Sequence, residues 1–435
     1  MTQYGVVLGG GGAKGCYEIG VWQALLELNI PICAVVGTSV GALNGAVMAQ
    51  GDFEAAYHLW TNLDIASVIN LEEPFLPGNK RFNLKDAINA VKRILDNRGL
   101  DVTPLRKILM EYIDEESIRT SAVDFGLVTF SLTDFKPVTV FKDEIPQGLL
   151  IDYLLASSCL PGFQPLEIEN KRFVDGGIYD NIPVSLLLKK GIRDIIVVDV
   201  SGIGRVRRVN LANLNVVSIK NSDPLCKTLQ FEGNAIGQGI TMGYLDTQRA
   251  FGVFEGKRYY IKKQQEGNSL AYPLLTEELE VLDTLLDLKK SAIPANNLIH
   301  YPLLRTLYKY IKGKLNSASL IYASAEIAAE VFGVDRLQPY TWDELTEEVL
   351  LAYDNVKSSA SAERDAGLIK NLLRSKRAED IDALDIKGLA SINAELSNQD
   401  LNAKLYRKLT AMFVPKVCIA NIFVSLMLCR KRGVC

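Results

Sequence analysis

Short apolar runs alternate with helical patterns along the first part of the chain. The runs that predict strands are Gly5 to Leu8, Ile32 to Val36, Asp124 to Phe130, Pro137 to Phe141, Ile195 to Val200 and Leu214 to Ile219. Helical patterns cover Tyr17 to Leu28 and Val40 to Ala49. Buried strands separated by helices are typical of a mainly parallel sheet with helices on both faces. We therefore expect an α/β fold with three α/β/α layers.

Helical periodicity dominates after about Lys262. The segments that carry it are Leu274 to Leu288, Leu298 to Ile311, Ser319 to Val331 and Trp342 to Tyr353. Thr341 and Glu344 have the spacing of a capping box that opens the last of these helices. The change predicts two domains, residues 1–265 and residues 266–435, of which the second is a helical region of unknown role.

The composition excludes several functional classes. A hydrophobic fraction of 48% over 435 residues supports a large core. Lys and Arg total 48 against 51 for Asp and Glu, and this formal net charge of -3 gives no cationic field for nucleic acid. Seven cysteines without a CxxC pair indicate neither a zinc site nor a dense disulfide framework.

The terminal and apolar segments bear on localisation. Met1-Thr2-Gln3-Tyr4 leads directly into a predicted strand, without the pattern of a signal peptide, so we expect a cytoplasmic protein. No uncharged apolar run reaches the roughly 18 residues that predict a membrane-spanning helix. Peripheral membrane association and the oligomeric state are left open by these observations.

Gly37-Thr38-Ser39-Val40-Gly41 fits the pattern GxSxG and stands between a predicted strand and a predicted helix. That context favours a nucleophile elbow, a sharp turn that exposes the serine hydroxyl. The flanking glycines permit strand and helix to approach without Cβ clashes. The start of the following helix also favours the negative charge that forms when the serine attacks.

A serine nucleophile needs a base, and the chain has only two histidines, His58 and His300. Both are more consistent with surface or core positions than with catalysis. Asp175 ends a short apolar run and is followed by Gly176 and Gly177, which permit a tight turn. Its unperturbed pKa of about 3.9 makes it a weak base at neutral pH, and partial desolvation would raise that pKa. An Asp-Gly turn without chemistry is the other interpretation.

A glycine-rich loop at residues 9–15 follows the first strand and opens the first helix. Its backbone N–H groups can converge on an anion. Residues 10–15 also satisfy GxGxxG, but the second strand leads to the serine motif where a ribose-binding acid belongs. The Walker pattern fails because Lys14 precedes Gly15. An oxyanion hole beside the serine is the better interpretation, with the amides of Gly11 and Gly12 as donors.

Together these motifs resemble the patatin-like phospholipase family. The resemblance rests on Gly10 to Gly15, Gly37 to Gly41 and Asp175 to Gly177, which occur in the family's order, and it covers about residues 4–204 well. The flanking segments Ala156 to Pro161 and Asn181 to Pro183 also resemble family segments that shape the site. Lys14 stands where plant patatins have arginine, which keeps the charge but loses bidentate geometry.

The resemblance implies a patatin-like catalytic domain over residues 1–265 that hydrolyses fatty-acyl esters of lipids. The residues it implies are Ser39 as nucleophile, Asp175 as base, an oxyanion hole of Gly10, Gly11, Gly12 and Lys14, and motif support from Gly37, Gly41, Gly176 and Gly177. It implies a lipid substrate, a phospholipase A or lysophospholipase type of reaction, and no metal or other cofactor.

Two rival functions stay open. One is a histidine-dependent α/β-hydrolase esterase, which the low histidine count disfavours. The other is a non-catalytic nucleotide-binding or regulatory module that keeps only the glycine-rich loop. The sequence does not define the lipid head group or the acyl position cleaved.

The segment from Val417 to Cys429 is apolar except for Asn421 and Ser425, and basic residues follow it. As a helix it would span about 20 Å, short of the roughly 30 Å hydrocarbon core of a bilayer. It is therefore expected either to lie in a membrane interface, attracted by anionic head groups, or to be buried within the helical region.

Overall fold

The computed structural model describes residues 2–70, 99–263, 302–311, 317–358 and 414–431. The chain divides into two compact units, Met1–Phe251 and Gly252–Cys435, which we call unit 1 and unit 2. The sequence predicts this boundary at residue 265. The division falls earlier because Phe254–Glu255 and Tyr260–Lys262 form a small sheet with Pro339–Tyr340, which belongs to unit 2.

Unit 1 contains an eight-stranded sheet among its described residues. Its strands are β1 (Tyr4–Leu8), β2 (Ile32–Thr38), β3 (Asp124–Ser131), β4 (Lys136–Phe141), β5 (Leu166–Ile168), β6 (Lys171–Asp175), β7 (Asp194–Asp199) and β8 (Asn215–Lys220). Strands β3, β2, β1, β7 and β8 are neighbours in that order and pair in parallel, whereas β4, β5 and β6 pair antiparallel. The predicted mainly parallel sheet is confirmed.

Helices cover both faces of this sheet. They are α1 (Cys16–Glu27), α2 (Val40–Gln50), α3 (Phe53–Asn62), α4 (Thr103–Tyr112), α5 (Glu115–Thr120), α6 (Leu150–Ser157), α7 (Val184–Lys189) and α8 (Gly233–Ala250). Val35 approaches Gly45 of α2, whereas its neighbour Val36 packs in one cluster with Leu187 of α7. Successive side chains of a strand point to opposite faces, so both faces are covered and the predicted three-layer fold is confirmed.

Two strands share one edge of β3, and this arrangement positions the candidate site. Strand β2 pairs with β3 up to Thr38, which lies opposite Val128. Strand β6 runs in the opposite direction and ends at Asp175, opposite the next residue, Thr129. Because β4 occupies the other edge of β3 over the same residues, β6 must continue along the edge that β2 leaves. The carboxyl ends of β2 and β6 therefore meet head to head.

Unit 2 is mainly helical. Its described elements are β9 (Phe254–Glu255), β10 (Tyr260–Lys262), β11 (Pro339–Tyr340), α9 (Pro302–Tyr308), α10 (Ser317–Phe332), α11 (Trp342–Lys357) and α12 (Pro415–Lys431). The predicted capping box of α11 is present: the Glu344 amide donates to the Thr341 hydroxyl, and the Thr341 amide donates to the Glu344 carboxylate. The periodic segment Leu274 to Leu288 lies outside the described residues.

The apolar segment near the carboxyl terminus forms α12. Val417, Ile419, Phe423 and Val424 are buried there in one apolar cluster with α10 and α11. Of the two interpretations of this segment, burial within the helical region is therefore the correct one. Among the described residues, no helix combines the length and the apolar character needed to cross a membrane.

Candidate active site

Ser39 lies in a sharp turn between β2 and α2. Its backbone has a φ of 56° and a ψ of -129°, a region that non-glycine residues rarely occupy. A Cβ on Gly37 would come within 2.1 Å of the Gly41 carbonyl oxygen, and one on Gly41 within 2.4 Å of the Leu8 carbonyl oxygen. Both glycines are thus required for the close passage of strand and helix. The elbow predicted from GxSxG is present, and Ser39 is 5% exposed.

Ser157 fixes the backbone of the elbow from the adjoining helix. The Ser39 amide donates to the Ser157 hydroxyl at 3.0 Å, and that hydroxyl donates to the Val128 carbonyl at 2.7 Å. Since Val128 lies opposite Thr38 in the sheet, this bridge ties the nucleophile turn to β3. Sequence reasoning placed Ser157 in a segment that shapes the site but did not identify this contact.

Asp175 ends β6 beside the elbow and is 3% exposed. One carboxylate oxygen, Oδ1, accepts the Gly177 amide at 2.7 Å. The other, Oδ2, is buried and accepts no hydrogen bond from any residue that the structure describes. Burial raises the pKa of Asp175 to about 6, and the nearby Ser39 hydroxyl and the Gly177 amide partly oppose that rise. A buried acceptor with a raised pKa has the character of a general base.

The two glycines after Asp175 are required by close packing. A Cβ on Gly176 would come within 2.1 Å of the Val128 carbonyl oxygen, and a Cβ on Gly177 within 3.0 Å of Asp175 Oδ1. The Asp175 amide donates to the Cys159 carbonyl at 2.7 Å, which anchors the start of the turn. The Asp-Gly-Gly turn thus holds the carboxylate in one orientation.

The glycine-rich loop lies directly against Ser39. A Cβ on Gly10 would approach Ser39 Cβ to 3.1 Å. The Gly10 amide itself donates to the Asn181 carbonyl at 3.2 Å, so it is already engaged. The amides of Gly11 and Gly12 make no hydrogen bond to other described residues, and Gly12 adopts a φ of 60° that favours glycine. The amides of Gly11 and Gly12 are therefore not engaged by other described residues, and their role as oxyanion donors stays a prediction.

Lys14 has a different environment from that of the loop amides. Its amine donates to the Ser201 carbonyl at 2.7 Å. A Cβ on the next residue, Gly202, would come within 1.8 Å of the Gly10 carbonyl oxygen. Lys14 therefore holds the chain after β7 against the back of the glycine-rich loop, and we assign it a positioning role.

Of the two histidines, the structure describes only His58. His58 is exposed on α3, and His300 lies outside the described residues. Among those residues no group of His, Cys, Asp or Glu side chains is arranged to hold a metal ion. Asp175 is the acidic residue that ends β6, at the position of β3 next to the one where β2 leads into the Ser39 turn.

The family model for patatin-like phospholipases matches residues 6–188, which include the elbow, the glycine-rich loop and the Asp175 turn. Residues 6–188 form a patatin-like phospholipase domain. The chain is 32% identical over 209 residues to lysophospholipase NTE1 of Cryptococcus neoformans, a match that covers 46% of this chain and 11% of that protein. It is 29% identical over 203 residues to patatin-like phospholipase domain-containing protein 7 of Rattus norvegicus, covering 45% of this chain and 13% of that protein.

The match thus spans only a small part of each of these relatives. Among solved structures, VipD from Legionella pneumophila aligns with 97% of this chain and 92% of its own, at 14% identity and a TM-score of 0.37. That likeness is too low to carry information about function.

An apolar pocket opens beside Ser39 in unit 1. It encloses about 780 Å³, part of which is open to solvent. Its lining is mostly aliphatic and aromatic and comes largely from α2, α3 and α4, with Leu43, Val47, Leu105, Leu109 and Phe231 among the contributors. A pocket with this apolar lining suits a hydrocarbon chain better than a polar ligand.

Proposed function

We propose that this chain is a carboxylic ester hydrolase that cleaves fatty-acyl esters of lipids through a Ser39 and Asp175 dyad. The observation that carries the proposal is the head-to-head meeting of β2 and β6 on one edge of β3. This register brings the serine turn to an aspartate with a buried, unengaged oxygen. The mechanism uses only groups of unit 1.

In the first step the Ser39 hydroxyl oxygen attacks the ester carbonyl carbon, and Asp175 Oδ2 accepts the hydroxyl proton. The carbonyl oxygen becomes an oxyanion, which the amides of Gly11 and Gly12 stabilise. The tetrahedral intermediate then expels the alcohol, which takes the proton from Asp175. The first step therefore ends with the acyl group bound covalently to Ser39.

In the second step a water molecule attacks the acyl-enzyme and transfers a proton to Asp175. The same amides stabilise the second oxyanion. Collapse of this intermediate releases the fatty acid, and Ser39 recovers its proton. Every proton transfer uses Asp175, so no histidine takes part.

The pocket supports a lipid as the substrate. Each methylene that leaves water for an apolar pocket contributes about 0.8 kcal/mol, which is roughly a fourfold gain in binding. Long-chain esters should therefore be favoured until the pocket is filled. The fungal relative is a lysophospholipase, so lysophospholipids are the first substrates to test, followed by phospholipids and neutral lipids.

Labelling by a fluorophosphonate tests the proposal. The parent protein should be labelled at Ser39, and Ser39→Ala should not be labelled. A parent protein that takes up no label would favour a non-catalytic module instead. Mass spectrometry of the products from a lipid panel would then identify the head group and the acyl position.

A further inference from the structure

Large apolar side chains are exposed beyond the carboxyl ends of β6 and β7, at the end of the sheet where the candidate active site lies. They occur in the loops that follow β6 and β7 and include Ile178, Ile203 and Val206. Ile203 is 91% exposed and Val206 is 55% exposed. Single exposed apolar residues are ordinary on a protein surface. Several that lie together beside a candidate active site indicate an interaction surface.

The segment of residues 203–208, which we call the 203–208 loop, is bonded directly to the Asp175 turn. The Arg205 amide donates to the Gly177 carbonyl at 2.8 Å, and the Arg205 carbonyl accepts the Asn181 amide at 2.7 Å. The Arg207 amide also donates to Asp180 Oδ1 at 3.3 Å. The backbone is therefore held on the protein while the side chains of the loop stay exposed.

The loop carries three arginines and no acidic residue, in a chain whose formal net charge is -3. Arg207 bonds to the Tyr179 hydroxyl and lies over its ring. Arg205 and Arg208 are exposed, and neither makes an ion pair or a side-chain hydrogen bond with another described residue. The loop thus presents cations and apolar groups to solvent at the same place.

This combination fits an anionic lipid surface. Apolar side chains can enter the boundary between head groups and acyl chains, while arginines pair with the phosphates of anionic lipids. A polyanion in water would use the arginines but would leave Ile203 and Val206 exposed. We infer that the 203–208 loop docks the enzyme on anionic bilayers. This inference rests on the proposed function and adds the membrane surface on which the enzyme would bind its lipid substrate.

Vesicle binding of Ser39→Ala protein tests the inference without any need for hydrolysis. The vesicles are phosphatidylcholine alone, or equal parts of phosphatidylcholine and phosphatidylglycerol. Ser39→Ala should sediment more strongly with the anionic vesicles. Adding Ile203→Ser with Val206→Ser, or Arg205→Gln with Arg208→Gln, should weaken that binding by roughly tenfold or more.

A matched control uses the opposite end of the sheet, where β2 and β7 begin. Leu26 is exposed at the end of α1, and Arg193 is exposed just before β7. Leu26→Ser with Arg193→Gln removes the same types of group and should leave vesicle binding unchanged. Equal loss in this control, or unchanged binding in both loop variants, would overturn the inference.

Two further outcomes separate the alternatives. Inorganic phosphate at matched ionic strength should not displace the protein from vesicles, and displacement would indicate a phosphate site rather than a bilayer surface. With Ser39 intact, the Ile203→Ser and Val206→Ser variant should still hydrolyse a soluble short-chain ester. Absence of ester hydrolysis in the parent chain would contradict the proposed function while leaving the binding result to be judged on its own.

Discussion

At the scale of single residues, the Ser39 turn is held by groups other than its own hydroxyl. Its amide donates to Ser157, and its carbonyl accepts the Ala42 amide at 2.8 Å. Ser39→Ala keeps the Cβ and both backbone bonds, so the fold should be retained while the nucleophile is lost.

Hydrolysis of a soluble ester by Ser39→Ala should fall at least about a hundredfold, because loss of a nucleophile is usually far more costly than that. Steady-state rates check the loss, and circular dichroism checks the fold. A folded variant that retains more than about one hundredth of the parent rate would show that another group is the nucleophile.

Asp175 should impose a pH dependence on the reaction. Because burial raises its pKa to about 6, the carboxylate is mostly ionised at neutral pH and becomes protonated as the pH falls through 6. Only the ionised form accepts the serine proton. We expect kcat/KM to decline below about pH 6, by roughly tenfold for each further pH unit.

Asp175→Asn should abolish this activity across the whole pH range, since an amide cannot accept the proton. His58→Ala is the matched control and should reproduce the parent profile, because His58 is exposed on α3. If Asp175→Asn stays active and its pH profile of kcat/KM keeps the parent midpoint, another group is responsible for the titration. Loss of activity in His58→Ala would lead to the same conclusion.

At the scale of elements, a buried polar chain links α1, α2 and α3. Asn44 donates to Glu18 at 2.7 Å and accepts the Trp60 indole N–H at 2.9 Å. Glu18 is 2% exposed, and its second oxygen, Oε1, has no partner among the described residues. Burial raises the pKa of Glu18 to about 8, although the bond from Asn44 partly opposes the rise.

Glu18 should therefore make unit 1 less stable as the pH rises. The folded state keeps a proton up to about pH 8 that the unfolded state releases near pH 4.5, so stability is lost across that window. Glu18→Gln mimics the protonated form and should flatten this slope. Urea unfolding at several pH values measures it, with the exposed Glu54→Gln as a control that keeps the parent slope.

An unchanged slope in Glu18→Gln would mean that Glu18 does not titrate in this window. A slope altered equally in Glu54→Gln would instead reflect the general charge of the protein.

The elements differ in how far the sequence could predict them. Apolar runs located β1, β2, β3 and β7 to within a few residues, because buried parallel strands are apolar throughout. The antiparallel insertion of β6 beside β2 could not be predicted in this way. It depends on which edge of β3 is free, and that is a nonlocal property of the folded sheet.

The same distinction applies to the candidate site. Local turn chemistry marked Ser39, Asp175 and the glycine-rich loop, because glycines are needed wherever backbones approach closely. The Ser157 bridge and the Lys14 bond to Ser201 join residues that lie far apart in sequence. The spacing of residues along the sequence does not predict contacts between residues that are so far apart.

At the scale of the whole molecule, unit 2 has an apolar core of its own. Phe423 is 1% exposed, and its ring lies 6.1 Å from the ring of Trp342 in an edge-to-face arrangement. Phe423→Ala should destabilise unit 2 by about 3 to 5 kcal/mol, the usual cost of emptying such a site. Thermal unfolding monitored by circular dichroism should show the loss.

Ser425 lies on the same helix and is exposed, so Ser425→Ala should unfold as the parent protein does. If Phe423→Ala unfolds at the parent temperature, α12 does not contribute to the core as the structure indicates.

The apolar pocket also affects how the products leave. The hydrocarbon chain of a released fatty acid contacts the same apolar residues that bound the ester. These hydrophobic contacts alone would make the fatty acid a strong product inhibitor. In the proposed mechanism the product forms as a neutral carboxylic acid beside an ionised Asp175, and it becomes a carboxylate once it loses its proton to water. Two like charges in a buried site repel, and this repulsion offsets the retention by the pocket. In the proposed mechanism Asp175 would then both help to form the fatty acid and repel it from the site.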